Sequence, residues 1–430
     1  MKMITSFRSL LPAAAALFAA CNGSGSAPTT PGATEVRSSQ VRVTAPVVLT
    51  GDLATLAADN RHFAWDLYQA VAAGSSDNLV FSPASISIAL GMTYGGAGGA
   101  TATQMASTLH FSLPPARLHA TFDALDLALE APPPAGNSGA FQLSLANAIW
   151  GQQGFPFVPA YLDLLAEDYG AGLHVVDFAG ATEAARQTIN QWVSDATDAQ
   201  IPMLLAPGVL DPSTRLVLTN AVYFHADWQS PFKADSPMGM FNAPTGAVQV
   251  PMMIAGDDMT TLGASGTGYT MAVLPYKGKG TSMVLIVPDA NTFDAFTSGL
   301  TFDALETILA SPTTTQYFVS MPRFKFQTAL GLSDTLIKMG MTDAFKAGGA
   351  DFSGIDGSND LFIQAVIHEA TIAVDEKGTT AAAATAVGVG LAIGRPGEPL
   401  VVDRPFLFAI RDDATGSILF LGRVLDPSKM

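Results

Sequence analysis

The residues best equipped for chemistry do not assemble into a catalytic motif. His368 and Glu369 open the His-Glu-x-x-His pattern that holds zinc beside a carboxylate base, but Ile372 stands where the second histidine is required. Gly95 to Gly99 is rich enough in glycine to wrap a phosphate, yet no lysine follows it, and the strained Gly-x-Ser-x-Gly turn of hydrolases is absent. The six histidines are scattered without ligand spacing, so no catalytic residue, metal site or cofactor is expected. Two stretches promise chemistry of another kind. One is the lone Cys21; the other is 378–394, which carries no charged, aromatic or bulky polar side chain.

A segment so small and uncharged can be a flexible linker, an alanine-driven helix or a strand. The alanine run favours helix; Thr379, Thr380, Thr385, Val387 and Val389 lean to strand, and Gly388 and Gly390 weaken any helix. It can hang in water as a loop, and it can also slide between two strands without burying a charge. In a strand, side chains alternate faces. With Thr379 inward, that face also carries Ala381, Ala383, Thr385, Val387 and Val389, and the other carries Thr380, Ala382, Ala384, Ala386 and Gly388. Neither face is costly to bury.

The elements that must position this stretch read as α+β. Apolar residues from Leu53 to Val71 recur at helical spacing behind Asp52 and ahead of Gly74. Asn78 to Phe81 reads as a short strand feeding a helix, with Ser82 as N-cap and Pro83 at the first helical position. Further helical patterns lie at about 101–109, 115–130, 158–169, 182–196, 301–311 and 329–339. Strand-like runs cover 141–150, 173–178, 215–224, 269–275, 282–288, 317–326, 361–374, 406–411 and 418–424. Helices dominate early and strands late, unlike a regular βαβ repeat.

The ends and the charge narrow the setting. Lys2, Arg8 and the apolar run Leu10 to Ala20 describe a secretory signal over 1–20, too short to span a bilayer. Phe18 Ala19 Ala20 Cys21 is similar to a bacterial lipobox, with Phe where Leu is more usual, so Cys21 is expected to become an acylated N-terminus. The plainer alternative is a soluble secreted protein with an incidental thiol. Residues 21–46, rich in Gly, Ser, Thr, Ala and Pro, read as a disordered tether, and 47–430 as one large domain. A single cysteine permits no internal disulfide, so an exported fold must hold by its core. Charged residues make up only 13% of the chain, consistent with extensive burial. A net charge of −16 argues against nucleic acid or an anionic membrane surface as partner.

The flanks of 378–394 carry a family resemblance. His368 to Thr385 resembles the hinge of the serpin family: a strand ending in Glu376, then Gly378, Thr379 and Thr380, then Ala381, Ala382, Ala383, Ala384 and Thr385. Asp403 to Phe408 and Leu419 to Pro427 look like that family's C-terminal strands. Asn78, Ser82, Pro83, Ser85, Gly95 and Thr101 match its N-terminal pattern, and Ile189 to Val193, Thr214 to Phe224, Leu274 to Tyr276 and Ala350 to Ile355 its middle. The resemblance spans nearly everything after the tether. It implies a serpin fold of three β-sheets, eight or nine helices and an exposed reactive-centre loop.

The same resemblance implies a mechanism and assigns residues to it. A serine protease would take the loop as substrate, and the cut loop would enter the main sheet as a new strand, trapping the acyl-enzyme. Ser82, Ser85, Asn220 and His368 match the shutter, where polar side chains bridge the strands that part. Trp228, Arg323 and Glu376 match the breach, with Arg323 where the family often has lysine. Counting seventeen residues from Glu376 places the scissile bond between Ala392 and Ile393, with Leu391 and Gly394 as neighbouring alternatives. An Ala or Leu cut site suits elastase-like or subtilisin-like proteases, whereas Pro396 should block cleavage after Arg395. The helix candidate from Ala116 to Glu130 holds only Arg117 as a fixed positive charge, so no polyanionic cofactor is expected. A monomer anchored by lipid at Cys21 is expected, with a non-inhibitory serpin-fold binding or chaperone protein as the alternative.

Overall fold

The computed structural model describes residues 32–131, 141–259, 261–278, 280–311, 313–379 and 397–429. Within 32–46, the described part of the tether expected over 21–46, the chain is not loose throughout. Thr34–Val36 is a strand, β1, laid antiparallel on Leu173–Val176 in the register Thr34↔Val175 to Val36↔Leu173. Arg42 then fixes the segment to the body. Its guanidinium reaches Asp123 at 2.8 Å, Asp126 at 2.6 Å and Glu130 at 3.0 Å, carboxylates spaced three and four residues apart on one helix face. Small-residue composition pointed to disorder, but one planar guanidinium with five donors can satisfy three carboxylates at once.

Helix α1 (Asp52–Ala72) buries Leu56, Phe63, Ala64, Leu67 and Tyr68, the face its periodicity predicts. Strand β2 (Leu79–Phe81) leads into α2 (Pro83–Tyr94), whose cap forms as the Ser-Pro pair dictates: the Ser85 backbone N–H donates to Ser82 Oγ at 3.3 Å. Its residues from Pro83 to Thr93 are all buried, so α2 is a central helix rather than an amphipathic cover. Helices α3 (Gly99–Thr108) and α4 (Pro115–Glu130), strand β3 (Phe141–Gln152), helix α5 (Pro159–Tyr169), strand β4 (Leu173–Val176) and helix α6 (Phe178–Ala196) follow.

The rest is strand-rich. It comprises β5 (Leu216–Asp227), β6 (Met238–Ala243), β7 (Gly246–Ile254), β8 (Thr261–Gly266), β9 (Tyr269–Pro275), β10 (Thr281–Pro288), helices α7 (Phe293–Gly299) and α8 (Phe302–Leu309), then β11 (Thr315–Pro322) and β12 (Phe324–Gly331). Helices α9 (Ser333–Lys338) and α10 (Ser353–Asp356) precede β13 (Ile363–Val374), β14 (Gly378–Thr379), β15 (Glu398–Val401), β16 (Phe406–Asp412) and β17 (Ile418–Val424). Ten α-helices are thus present among the described residues, against the eight or nine the resemblance implies, the count including the single turn α10. None of these helices is long and apolar enough to cross a membrane.

The strands form two continuous ladders among the described residues. The first runs β1-β4-β3-β5-β14-β13-β12, the second β2-β17-β16-β10-β9-β8-β11-β7-β6 with β15 added to β11. The second changes partner within β11, whose Thr315–Tyr317 pair with β8 and whose Ser320–Pro322 pair with β7. The three expected sheets therefore appear as one seven-stranded ladder and two joined through a shared strand.

At β5 the seven-stranded sheet is covered on both faces, which is why that strand reads as a near-continuous apolar run. Leu218, Val222 and Phe224 join the main core with α1 and α2; Val217 and Ala221 face a second core with Phe178, Ile189, Trp192 and Val193 of α6.

Candidate functional site at the parting of the central strands

Strands β5 and β13 are parallel neighbours for only part of their length, from Ile363↔Leu216 to Ala370↔Val222. Past Ala370 a short third strand takes the place between them. In β14, Gly378 pairs with Asp227 and Thr379 with Ala226 on one side, and Thr379 with Val374 on the other. The first two residues of the stretch 378–394 already occupy the lane a new strand would follow.

The turn that feeds β14 is held by side chains on every flank. The Asp375 carboxylate accepts from the backbone N–H of Lys377 at 2.9 Å and of Gly378 at 3.2 Å. The Trp228 indole N–H donates to the Asp375 carbonyl at 2.9 Å, and its backbone N–H to the Lys377 carbonyl at 2.7 Å. Glu376 pairs with the Arg323 guanidinium and accepts from the Ser236 hydroxyl. Burial pushes the Glu376 carboxyl up, but these hydrogen bonds outweigh it and hold the group below the usual glutamate range.

Within β14 the demand for small residues is steric. A Cβ on Gly378 would lie 2.0 Å from the Ala226 carbonyl oxygen, so only glycine lets the strands approach. Thr379 is 1% exposed, and its hydroxyl shares a 2.7 Å hydrogen bond with the Tyr276 hydroxyl. Tyr276 is stacked on Trp228, with centroids 4.4 Å apart and planes at 10°. Trp228, Arg323, Glu376, Gly378 and Thr379 thus come together at one end of the sheet.

Farther down, where β5 and β13 are still closed on each other, a row of polar side chains crosses three strands over the start of α2. His368 stands opposite Asn220, and Asn220 opposite Asn147 of β3. His368 Nε2 accepts from the Ser82 backbone N–H at 3.1 Å, and its Nδ1–H donates to Asn220 Oδ1. The Asn220 amide in turn donates to Ser85 Oγ at 2.6 Å and to Asn147 Oδ1, and Ser85 Oγ donates to Asn147 Oδ1 at 2.8 Å. Ser82, Ser85, Asn220 and His368 are all buried. Every member has a partner, so the row can sit in an apolar core.

The row makes stability depend on pH. Burial pushes the His368 imidazole down to about 3 and that of His119, which meets the Tyr169 hydroxyl at 2.7 Å, down to about 4. Both stay neutral in the folded protein, whereas an unfolded chain protonates them below about 6.5. A lowered histidine pKa gives stability that is whole above the unfolded value and lost as pH falls toward the folded one. The slope is about 1.4 kcal/mol per pH unit per group. Asp126 and Asp168, whose buried carboxyls are pushed up to about 6, act in the opposite sense, so wild-type protein should lose more melting temperature between pH 6.5 and 4 than His368→Gln does. An identical slope in that variant would show that His368 is not a source of it.

Asn147, Ser236, Tyr276 and Asp375 belong to this site without having been singled out as site residues. For Tyr276 a signal existed, a tyrosine ending an apolar strand and needing a partner for its hydroxyl. For Asn147 it was an amide inside a strand otherwise fit for burial. Hinge residues Thr380 to Thr385, the candidate cut-site residues Leu391, Ala392, Ile393 and Gly394, and Cys21 lie outside the described residues.

Residues 58–427 match the family Serpin (serine protease inhibitor). A leukocyte elastase inhibitor from Xenopus laevis is 37% identical over 378 residues, covering 85% of this chain and 98% of its own length. An uncharacterized serpin-like protein from Thermococcus kodakarensis is 38% identical over 377 residues, 85% of this chain and 84% of its own. Among solved structures, the thermophilic serpin tengpin in its native state superposes with a TM-score of 0.79 at 28% identity, covering 92% of this chain and 99% of its own.

Proposed function

Since the chain belongs to the serpin family, we propose that it is an irreversible inhibitor of serine proteases, acting as a suicide substrate by inserting its cut loop between β5 and β13. The observation that carries this reading is β14, which already stands in that lane antiparallel to both neighbours, Gly378 and Thr379 paired with β5 and Thr379 with β13.

The chemistry is the protease's own. Its serine oxygen attacks the carbonyl carbon of Ala392, the bond to the Ile393 nitrogen breaks, and that nitrogen leaves with a proton from the protease histidine. The product is an ester joining Ala392 to the protease. The loop, freed at that end, then extends β14. At about 0.5–1.5 kcal/mol net per hydrogen bond, a dozen or more new bonds with packing supply on the order of 10 kcal/mol. That is enough to drag the tethered protease and disturb the oxyanion hole and histidine needed for deacylation.

Elastase-like or subtilisin-like enzymes are the proposed targets, because Ala392 and Leu391 suit a small or apolar specificity pocket and because several relatives are named leukocyte elastase inhibitors. Incubation with pancreatic elastase or subtilisin should give a complex that survives boiling in detergent, together with a released fragment whose mass begins at Ile393. Complete cleavage with the protease left active would sink the proposal, and a fragment beginning at Pro396 would move the cut site to Arg395. The monomer acts alone in this scheme.

For location we propose export and lipid anchoring at Cys21 in a bacterial envelope, on the strength of Phe18 Ala19 Ala20 Cys21 behind a short apolar run. Expressed in a bacterial host with radiolabelled palmitate, the protein should take up label, and Cys21→Ser should not. Unlabelled wild-type protein in the soluble fraction would overturn the anchor.

A further inference from the structure

We propose that His62, Asp66 and His110 form a binding site for a borderline divalent cation of the zinc type, remote from the parting strands. His62 and Asp66 stand four residues apart on α1 and so share one face. His110 comes from the connector between α3 and α4, 44 residues beyond Asp66. The pairing is therefore made by the fold, and no spacing in the sequence announces it.

The three side chains offer donor atoms that all lie within 4.8 Å of one another, and His110 Nε2 is 2.8 Å from Asp66 Oδ2. In tetrahedral zinc the N and O donors sit about 2.0–2.1 Å from the metal, hence about 3.3 Å apart. Closing the triangle calls for shifts of about an ångström. One rearrangement is needed. The His62 ring lies flat between His110, at 3.7 Å and 11°, and Phe302, at 4.1 Å and 3°. Parallel imidazoles cannot both aim a lone pair at one ion, so His110 must tilt off the stack toward Asp66. All three residues are partly exposed, which gives both the room and the access.

The backbone supplies a second observation. Helix α3 ends in a Schellman turn, with the Phe111 N–H on the Ala106 carbonyl at 2.9 Å and the His110 N–H on the Ser107 carbonyl at 3.3 Å. That turn puts His110 at φ 58, a position glycine or asparagine usually fills. The turn fixes where His110 leaves the backbone beside α1, and glycine would suit the same φ at no cost. Asp59, one turn before His62, pins the same connector through the Ser112 backbone N–H at 2.9 Å and hydroxyl at 2.8 Å.

Two imidazoles and one carboxylate with a free fourth position suit zinc, cobalt or nickel; calcium and magnesium prefer all-oxygen sites. Bound metal would staple α1 to the α3–α4 connector and stabilise the folded state by mass action.

The test uses the full chain stripped with a chelator at neutral pH. Calorimetric titration with zinc chloride should show one ion per chain and a melting temperature that climbs with zinc. Cobalt(II) should give low-coordinate d–d bands without the thiolate charge-transfer band that Cys21 would add. Asp66→Asn and His110→Gly should each weaken zinc binding more than about tenfold, and His225→Ala should not. His110→Gly is the decisive variant, because glycine suits that backbone and should fold at least as well without metal. No heat and no melting shift in excess zinc, or zinc affinity undiminished in His110→Gly, would overturn the site, as would a preference for calcium.

Discussion

Thr379→Arg should convert the protein from an inhibitor into a substrate. The threonine is 1% exposed, wedged between Ala226 and Val374, with its hydroxyl on Tyr276. An arginine there would have to bury a guanidinium beside Tyr276 and Trp228 where only a small hydroxyl now fits, at a cost of several kcal/mol. The faces of Tyr276 and Trp228 could return about 2 kcal/mol through cation–π contact, which leaves most of the penalty standing. In the proposed mechanism the step affected is the first of insertion, which competes with deacylation in time. A barrier raised by about 4 kcal/mol slows it roughly a thousandfold, so hydrolysis wins. With elastase, the variant should be cut completely, form no detergent-stable complex and leave the protease active. Thr379→Val, close in shape and uncharged, should still inhibit. A stoichiometric stable complex from Thr379→Arg would refute insertion through β14.

The same residues show what was legible in the chain and what was not. Local grammar survived: Ser82 and Pro83 cap α2 as their types require, and Gly378 stands where the approach of Ala226 leaves no room for a β-carbon. The Arg323 partner of Glu376 could be named only through the family resemblance, because 53 residues of chain separate them. Contacts of that kind have no sequence period. Asn147 completes the polar row from a third strand, Arg42 ties down a segment that composition read as loose, and His110 reaches His62 only after α3 has turned back. Strands β6 and β7 went unforeseen as well. Exposed Met238 and Met240 face away from buried Phe241 and Ala243 of β6, so apolar residues lie on both faces and no polar–apolar alternation marks that strand.

Cutting the loop without trapping a protease should raise the melting temperature by more than about 10 °C. If insertion supplies on the order of 10 kcal/mol and unfolding a body of this size carries an entropy near 0.8 kcal/mol per kelvin, the shift is about 12 °C. The alanine run helps, since alanine loses no side-chain entropy when buried. The register of β14 also says how the sheet can open without orphaning its polar row. Six residues on from the pair Val374↔Thr379, and six on from Ala226↔Thr379, the incoming strand meets His368 on one side and Asn220 on the other. The residue at that level is Thr385, on the same face as Thr379. Its hydroxyl can both donate and accept, so it can replace the hydrogen bond that His368 and Asn220 must give up as the strands part. Thr385→Val, which keeps the shape and removes the hydroxyl, should insert but lose about 1–3 kcal/mol of the gain, visible as a smaller melting shift in the nicked protein. A nicked wild type that melts where the intact protein does would mean the loop stays out, and the fold would then serve binding rather than inhibition.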